Sequence, residues 1–442
     1  MAFTKILPAG ISTTGTVTLE RLETTNSIVS LGSTNQLYIN TDTPTVRPTL
    51  DLNFERDQRL DSRITFSRNS TATYLGSDGL IKTAQPNIPR FEFDTDGNCL
   101  GLLIEESRTN LHLHSENLSS WTVETGGSVG VNTTSTVAPD GNQTADSLFG
   151  TLDGSSAYTI ISLSNATTYT FSVFLKYLTG NENIRIEIGD APFARSSTTF
   201  NTVTGALVSN TGGTATVNEV KSYGNGWYRY SITRTTTSAG SGFMDINHVS
   251  TTSSSVAVWG AQVESGSFAT SYIPTTTAAV TRSADIASIT GTNFTDFYNQ
   301  NEGTWLCNFN YKGNNTSGAS TLYSTALNQS DRNWLRINYT AGTPNTIRQT
   351  INSNTDDSQI TISSNTLNKI SQAYASGDQS VYINGSVAIE STRGISTNHT
   401  TLDIGNIVWS KGLNQTIITG YIKQLIYYPQ RLPNAQLQNL TS

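Results

Sequence analysis

Recognising a sugar takes modest chemistry. It needs an aromatic face for the flat apolar side of the ring, and amide, carboxylate or arginine groups for the hydroxyl rim. Three stretches carry such groups. Trp334 lies among Asp331, Arg332, Asn333 and Arg336. Trp409 precedes Ser410, Lys411 and Asn414 in a loop-like stretch, and Tyr177 stands near Asn181 and Asn183 at a strand end. Trp334, Arg336, Trp409, Asn414 and Tyr177 are therefore the candidate glycan-binding residues. Trp121, Trp227, Trp259 and Trp305 sit inside strand-like patterns and read as core.

Catalytic chemistry is harder to find. Glycoside hydrolysis needs two carboxylates across the scissile bond, ~5–5.5 Å or ~6.5–9.5 Å apart. Glu105 and Glu106 are adjacent, so on a strand they face opposite ways, and pairing with Arg108 or other nearby arginines is the expected role. Asp356 and Asp357 sit in a Ser/Asn/Thr-rich run that reads as a solvated turn. Cys99 and Cys307 have no neighbouring histidine and read as small core residues. His112, His114 and Glu116 would share one strand face, which reads as a surface stripe rather than a ligand set. No catalytic residues and no metal ligands are predicted. No cofactor is expected, though Asp and Asn oxygens are plentiful enough for a calcium ion.

These side chains must be held by β-structure. The chain has 442 residues, 13% charged, a net charge of −7, and 35% hydrophobic residues including 18 Tyr, 15 Phe and 6 Trp. The apolar pattern alternates. Ile184, Ile186 and Ile188 share one face, with Arg185 and Glu187 on the other. Tyr228, Tyr230 and Ile232 oppose Trp227, Arg229 and Ser231, and Leu335 and Ile337 alternate with Arg336 and Asn338. Val381 and Ile383 lead into Asn384-Gly385, a hairpin signal. One helix is predicted, over Pro433–Leu440. The expected class is all-β: two jelly-roll or β-sandwich domains in tandem, preceded by a thin N-terminal anchoring segment. No apolar run reaches the ~18 residues of a membrane helix, so membrane insertion is not expected. The start of the chain does not read as a secretory signal. Mild acidity without a basic stretch argues against nucleic acid.

Four segments follow from composition. Residues 1–45 lack the apolar content for a core of their own and are read as an anchor, with Ile6, Ile11, Val17 and Leu19 as its apolar contacts. Residues 46–115 hold the densest charge and are expected to pack on the domain that follows. Residues 116–290 form one strand series with its connector, and residues 291–442 a second.

Three groups of residues carry a resemblance. The first is Ile64-Thr65-Phe66-Ser67-Arg68-Asn69-Ser70-Thr71-Ala72-Thr73-Tyr74. The second is Gly101-Leu102-Leu103-Ile104-Glu105-Glu106-Ser107-Arg108-Thr109-Asn110-Leu111. The third comprises Trp259-Gly260-Ala261-Gln262-Val263-Glu264, Ser271-Tyr272-Ile273-Pro274-Thr275 and Val280-Thr281-Arg282-Ser283-Ala284-Asp285. As a set, over roughly residues 46–290, they resemble a module of bacteriophage virion proteins. The stretch between them is similar to a carbohydrate-binding-module jelly roll. Residues 291–442, with Gly303-Thr304-Trp305 and Gly420-Tyr421-Ile422, resemble a concanavalin A-like (laminin-G-like) sandwich.

The resemblance implies a non-enzymatic tail-fibre, tail-associated or capsid-surface component, made in the bacterial host cytoplasm and exposed on the particle. Its partners would be other virion proteins, through the N-terminal segment, and host cell-surface glycans. A homo-oligomer is expected, with a trimer as the guess from fibre-like relatives. A purely structural decoration protein is the alternative, and a polysaccharide depolymerase a further one.

Overall fold

A computed structural model of the chain describes residues 44–190, 194–211, 216–312, 318–327, 332–339, 345–351, 354–395, 398–406 and 417–442. Ahead of them it describes three short antiparallel strands, Leu22–Glu23, Ile28–Leu31 and Leu37–Ile39. The anchor residues Ile6, Ile11, Val17 and Leu19 lie outside the described residues, as do Trp409 and Asn414.

The fold is all-β with two sandwiches. In the first, one six-stranded sheet runs Thr122–Val123, Ser156–Leu163, Gly240–His248, Asn183–Asp190, Ala194–Asn201, Leu207–Thr211. The opposing sheet runs Gly127–Gly130, Asp146–Gly150, Ser254–Ser265, Thr168–Thr179, Trp227–Thr235, Thr216–Ser222. The alternation read from sequence sets which faces meet. Ile184, Ile186 and Ile188 join Phe171, Val173, Tyr230 and Ile232 in one buried cluster. Trp227 and Trp259 point out of the opposite side of the second sheet, into a separate cluster with Phe174 and Tyr272.

The second sandwich draws on both ends of the described chain. Its seven-stranded sheet ends in Ile286–Thr290 and Thr65–Ser67, and its eight-stranded sheet includes Leu50–Asn53, Arg90–Phe93 and Cys99–Ile104 beside Gly420–Tyr428. Leu50, Leu52, Leu102 and Ile104 pack with Trp305, Phe309, Tyr427 and Leu402 in a single core. The jelly roll is thus an insertion: the second sandwich is begun before it and closed after it. The stretch 46–115, expected to pack on the domain that follows, does so through the hairpin Ala72–Leu75/Ile81–Ala84, whose Leu75 and Ile81 meet Phe174 and Trp259, and through Asn110, Leu111 and Ser115, which bond to the Ser254–Ser265 strand. The strands Leu50–Asn53, Thr65–Ser67, Arg90–Phe93 and Cys99–Ile104 instead complete the C-terminal sandwich. The two crossings between domains pair with each other, Arg108–Asn110 against Val280–Arg282.

The motif residues meet at this crossing. Arg90 donates to Glu105 at 2.8 Å and to Asp285 at 2.6 Å, and Arg68 donates to Asp285 at 3.0 Å. Glu105 also accepts from the Ser271 backbone N–H at 2.8 Å and its hydroxyl at 2.6 Å. Arg282 donates to the Glu106 carbonyl at 2.7 Å, and the Glu106 carboxylate is held by Arg108. Burial pushes the Glu105 carboxyl up, but Arg282 and Arg90 more than offset it and hold it well below the usual carboxylate range. The pairing foreseen for Glu105 and Glu106 is found, with partners drawn from four separate stretches of sequence.

Other local expectations hold. Asn384 and Gly385 take positive φ in the hairpin joining Asp378–Ile383 to Ser386–Ser391, and the C-terminal helix spans Asn434–Thr441. Trp121, Trp227, Trp259, Trp305, Cys99 and Cys307 are buried. Asp356 and Asp357, expected in a solvated turn, instead lie on the strand Asn354–Thr361, where Arg393 and Arg348 pair with them. His112 is no surface residue: it is buried edge-on against Trp121, and burial lowers its pKa to about 4.

Candidate functional site

The outer face of the Asn183–Asp190 sheet carries what the alternation leaves over. With the isoleucines inward, Arg185 and Glu187 face out. Cross-strand register sets their neighbours: Glu187 stands between Asp245 and Ser197, and Arg185 between Asn247 and Thr199. One strand further, Tyr158 is opposite Asp245, Ile160 opposite Phe243 and Ser156 opposite Asn247. The next position along places Gly189 between Phe243 and Arg195. A Cβ at Gly189 would run into the Phe243 ring, so the glycine lets that ring lie across the strand. The Arg195 guanidinium sits 5.6 Å from the ring centroid. Of these, Tyr158, Ile160, Arg185, Arg195, Phe243, Asp245 and Asn247 line a groove of about 580 Å³ with Glu124, and Glu187 stands beneath it between Asp245 and Ser197.

Its apolar floor is Tyr158, Phe243 and Ile160, the last 65% exposed. Its charges are unevenly satisfied. Glu187 accepts from Ser197 at 2.7 Å and Arg195 at 3.1 Å, while Arg185 Nε lies 3.0 Å from it without the alignment of a hydrogen bond. Asp245 is only 8% exposed, and its Oδ1 has no hydrogen-bond partner; neither has Nδ2 of the buried Asn247. Burial, reinforced by the charges of Glu187 and Glu124, pushes the Asp245 carboxyl up to about 7; the nearby Asn247 amide and Ser156 hydroxyl oppose the rise only in part. A buried acceptor and a buried donor left open beside an apolar floor are what a polyhydroxyl ligand would complete.

Glu187 and Asp245 are cross-strand neighbours, with Cβ atoms about 5 Å apart in such a pair. That spacing resembles a hydrolytic pair, but the placement differs. Both rise from one sheet surface, so a sugar lying there meets them from the same side, whereas cleavage needs them flanking the bond. Ser and Arg donors also occupy both Glu187 oxygens. Gly126-Gly127-Ser128-Val129-Gly130 has the spacing of a hydrolase nucleophile elbow, yet Ser128 lies exposed in a strand paired with Asp146–Gly150, without the strand-to-helix turn such an elbow requires. Among the described residues no group of three His, Cys, Asp or Glu is arranged to hold a metal ion. No helix among them is long and apolar enough to cross a membrane.

The residues predicted from sequence fall elsewhere. Tyr177 is half-buried near the end of Thr168–Thr179, with its hydroxyl donating to the Gly180 carbonyl at 3.2 Å. Trp334 and Arg336 lie on the outer face of the other sandwich, and Trp334 is 6% exposed, so its ring is not an open stacking platform. Tyr158, Phe243, Asp245 and Asn247 were missed. The signal was half available, since inward isoleucines imply outward Arg185 and Glu187. The pairing of Glu187 with Asp245, far apart in sequence, was not.

No family model matches the chain, and no curated protein matches it. Solved structures with partial likeness include the CBM40 of a Ruminococcus gnavus IT-sialidase bound to alpha2,3 sialyllactose, at 14% identity and a TM-score of 0.29, covering 34% of this chain and 87% of that one. Domain 4 of an extracellular arabinanase from Geobacillus stearothermophilus, in complex with arabinotriose, has 14% identity and a TM-score of 0.29, over 36% of this chain and 73% of that one. A pentraxin from Limulus polyphemus has 15% identity and a TM-score of 0.27, over 32% and 70%.

Proposed function

We propose that this chain is a non-enzymatic, glycan-binding component of a bacteriophage virion, displayed on the particle surface, and that the groove on the jelly roll holds the host sugar. The observation that carries the binding reading is the open pair Asp245 Oδ1 and Asn247 Nδ2 beside Tyr158, Phe243 and Ile160. The virion role rests on the motif resemblance alone. In this reading residues 1–45 dock on other virion proteins, and copies of the chain assemble as a homo-oligomer, with a trimer as the working number. Weak single sites then gain strength by multivalency.

The test is a glycan array and host-envelope binding with the full chain. Wild type should bind, and Tyr158→Ala and Asn247→Ala should each lose roughly tenfold or more in affinity while melting like wild type. Absence of binding to any host surface sugar would overturn the lectin reading in favour of a structural decoration protein. Shortening of purified host polysaccharide would make it a depolymerase. Deleting residues 1–45 should leave a folded protein that no longer joins the particle.

A further inference from the structure

The second sandwich has its own set of open polar groups, of opposite sign. Arg332, Trp334 and Arg336 occupy alternate positions on the Arg332–Tyr339 strand and share its outer face. The two guanidinium carbons lie 3.9 Å and 4.2 Å from the centre of the Trp334 ring. In register, Trp334 stands between Ser324 and Thr350, and Arg336 between Thr321 and Arg348.

This face is rich in donors and short of acceptors. Ser324, Thr321 and Thr350 are fully or almost fully buried, and their hydroxyls make no hydrogen bond. Trp334 Nε1 and the Nε atoms of Arg332 and Arg336 also lack partners. Among the described residues neither Arg332 nor Arg336 is in an ion pair. The adjacent Arg348 is matched by Asp357 at 2.7 Å. Among the described residues, Asp403 lies opposite Ser324 on the far strand and already has an interaction of its own. Burial lowers the pKa of both arginines, and for Arg336 the charges of Arg348 and Arg332, only partly offset by Asp357, lower it further, to about 10. Stacking on the indole offsets part of the cost of holding two such cations. It supplies no counter-charge.

We propose that Arg332, Arg336 and the Trp334 indole N–H form an oxyanion site on this sheet, which receives the carboxylate or phosphate group of an acidic sugar at the Nε1 edge of the ring. Guanidinium groups suit both oxyanions, since each presents a planar fork of N–H donors. The site is independent of the groove on the jelly roll: it lies on another sheet and selects charge rather than a flat apolar face. Trp334, which cannot serve as an open sugar platform, becomes the spacer that holds two arginines apart and adds a donor between them.

The six tryptophan indole N–H signals of the ¹⁵N-labelled full chain test this, with Trp334→Phe identifying the Trp334 signal. Inorganic phosphate and glucuronate are titrated separately, with glucose and sodium chloride at matched concentration and ionic strength as controls. The expected result is a saturable shift of the Trp334 signal with an anion and not with the controls. Saturation by phosphate alone assigns a phosphorylated sugar, and saturation by glucuronate alone a uronic-type sugar. The Arg332→Gln/Arg336→Gln variant should need roughly tenfold more anion, with the other five signals unmoved. No saturable shift with either anion in wild type, or an equal shift in the double variant, overturns the proposal. Should that variant fail to fold, the wild-type titration against its controls still decides.

Discussion

The crossing between the sandwiches and the groove on the jelly roll both bury charge, and they treat it differently. At the crossing every oxygen of Glu105 and Asp285 accepts at least one bond, and where the Nε nitrogens of Arg90 and Arg282 are open, the other nitrogens of both guanidinium groups are engaged. In the groove Asp245 and Asn247 keep open atoms under almost complete burial. Removing one partner from a satisfied buried network leaves an uncompensated charge and is strongly destabilising. An unsatisfied buried group is itself a standing cost, retained where something else completes it. The motif residues therefore explain how two sandwiches are locked together, and the groove residues outside the motifs carry the proposed binding.

The sharpest way to break this contrast is Asp285→Ala. It strips Arg68 and Arg90 of a shared counter-ion at once and should cost about 3–5 kcal/mol, seen as a fall of roughly 10 °C in melting temperature. A loss under about 1 kcal/mol in denaturant titration would show that the crossing is not held by its charges.

Asp245→Asn should move stability the other way, and with pH. The folded state raises this carboxyl to about 7, so it favours the protonated form. The penalty is absent below the unfolded value of about 3.9, grows as pH rises between the two, and is fully present above about 7. The variant should thus be more stable than wild type at pH 8, by on the order of 2 kcal/mol, and nearly equal to it at pH 4. Thermal melts at both values check the sign, and a pH-independent difference would remove the groove from the contrast.

An exposed pair sets the floor of the scale. Lys423 and Glu55, 2.9 Å apart on the surface of the second sandwich, should couple by less than about 1 kcal/mol in a double-mutant cycle, and less still in high salt.

Much of the architecture was legible because period-two alternation is local. Ile184, Ile186 and Ile188 announce a buried face without knowledge of what covers it, and Asn384-Gly385 specifies its own hairpin. The candidate site was less legible for the same reason. Trp334 has polar neighbours in sequence, which read as an exposed sugar platform framed by hydrogen-bonding groups. In the fold those neighbours alternate along a strand, so Arg332 and Arg336 stack on the ring they were expected to frame. Asp356 and Asp357 read as a turn because their surroundings are Ser, Asn and Thr, whereas pairing with Thr346–Ile351 makes them a strand.

What the sequence determined by itself was the class of the molecule: thin aromatic cores, β-strands, polar faces, and a recurrent set of charged motifs. These follow from residue type and nearest-neighbour spacing, which act within a single strand. Only the tertiary structure decided that the strands before the jelly roll close the sandwich after it, that Arg68, Arg90, Glu105, Arg282 and Asp285 are one network, and that Glu187 stands beside Asp245. Those are matters of cross-strand register between segments far apart in the chain. Register is set by the burial of whole faces, which no local stretch can specify alone.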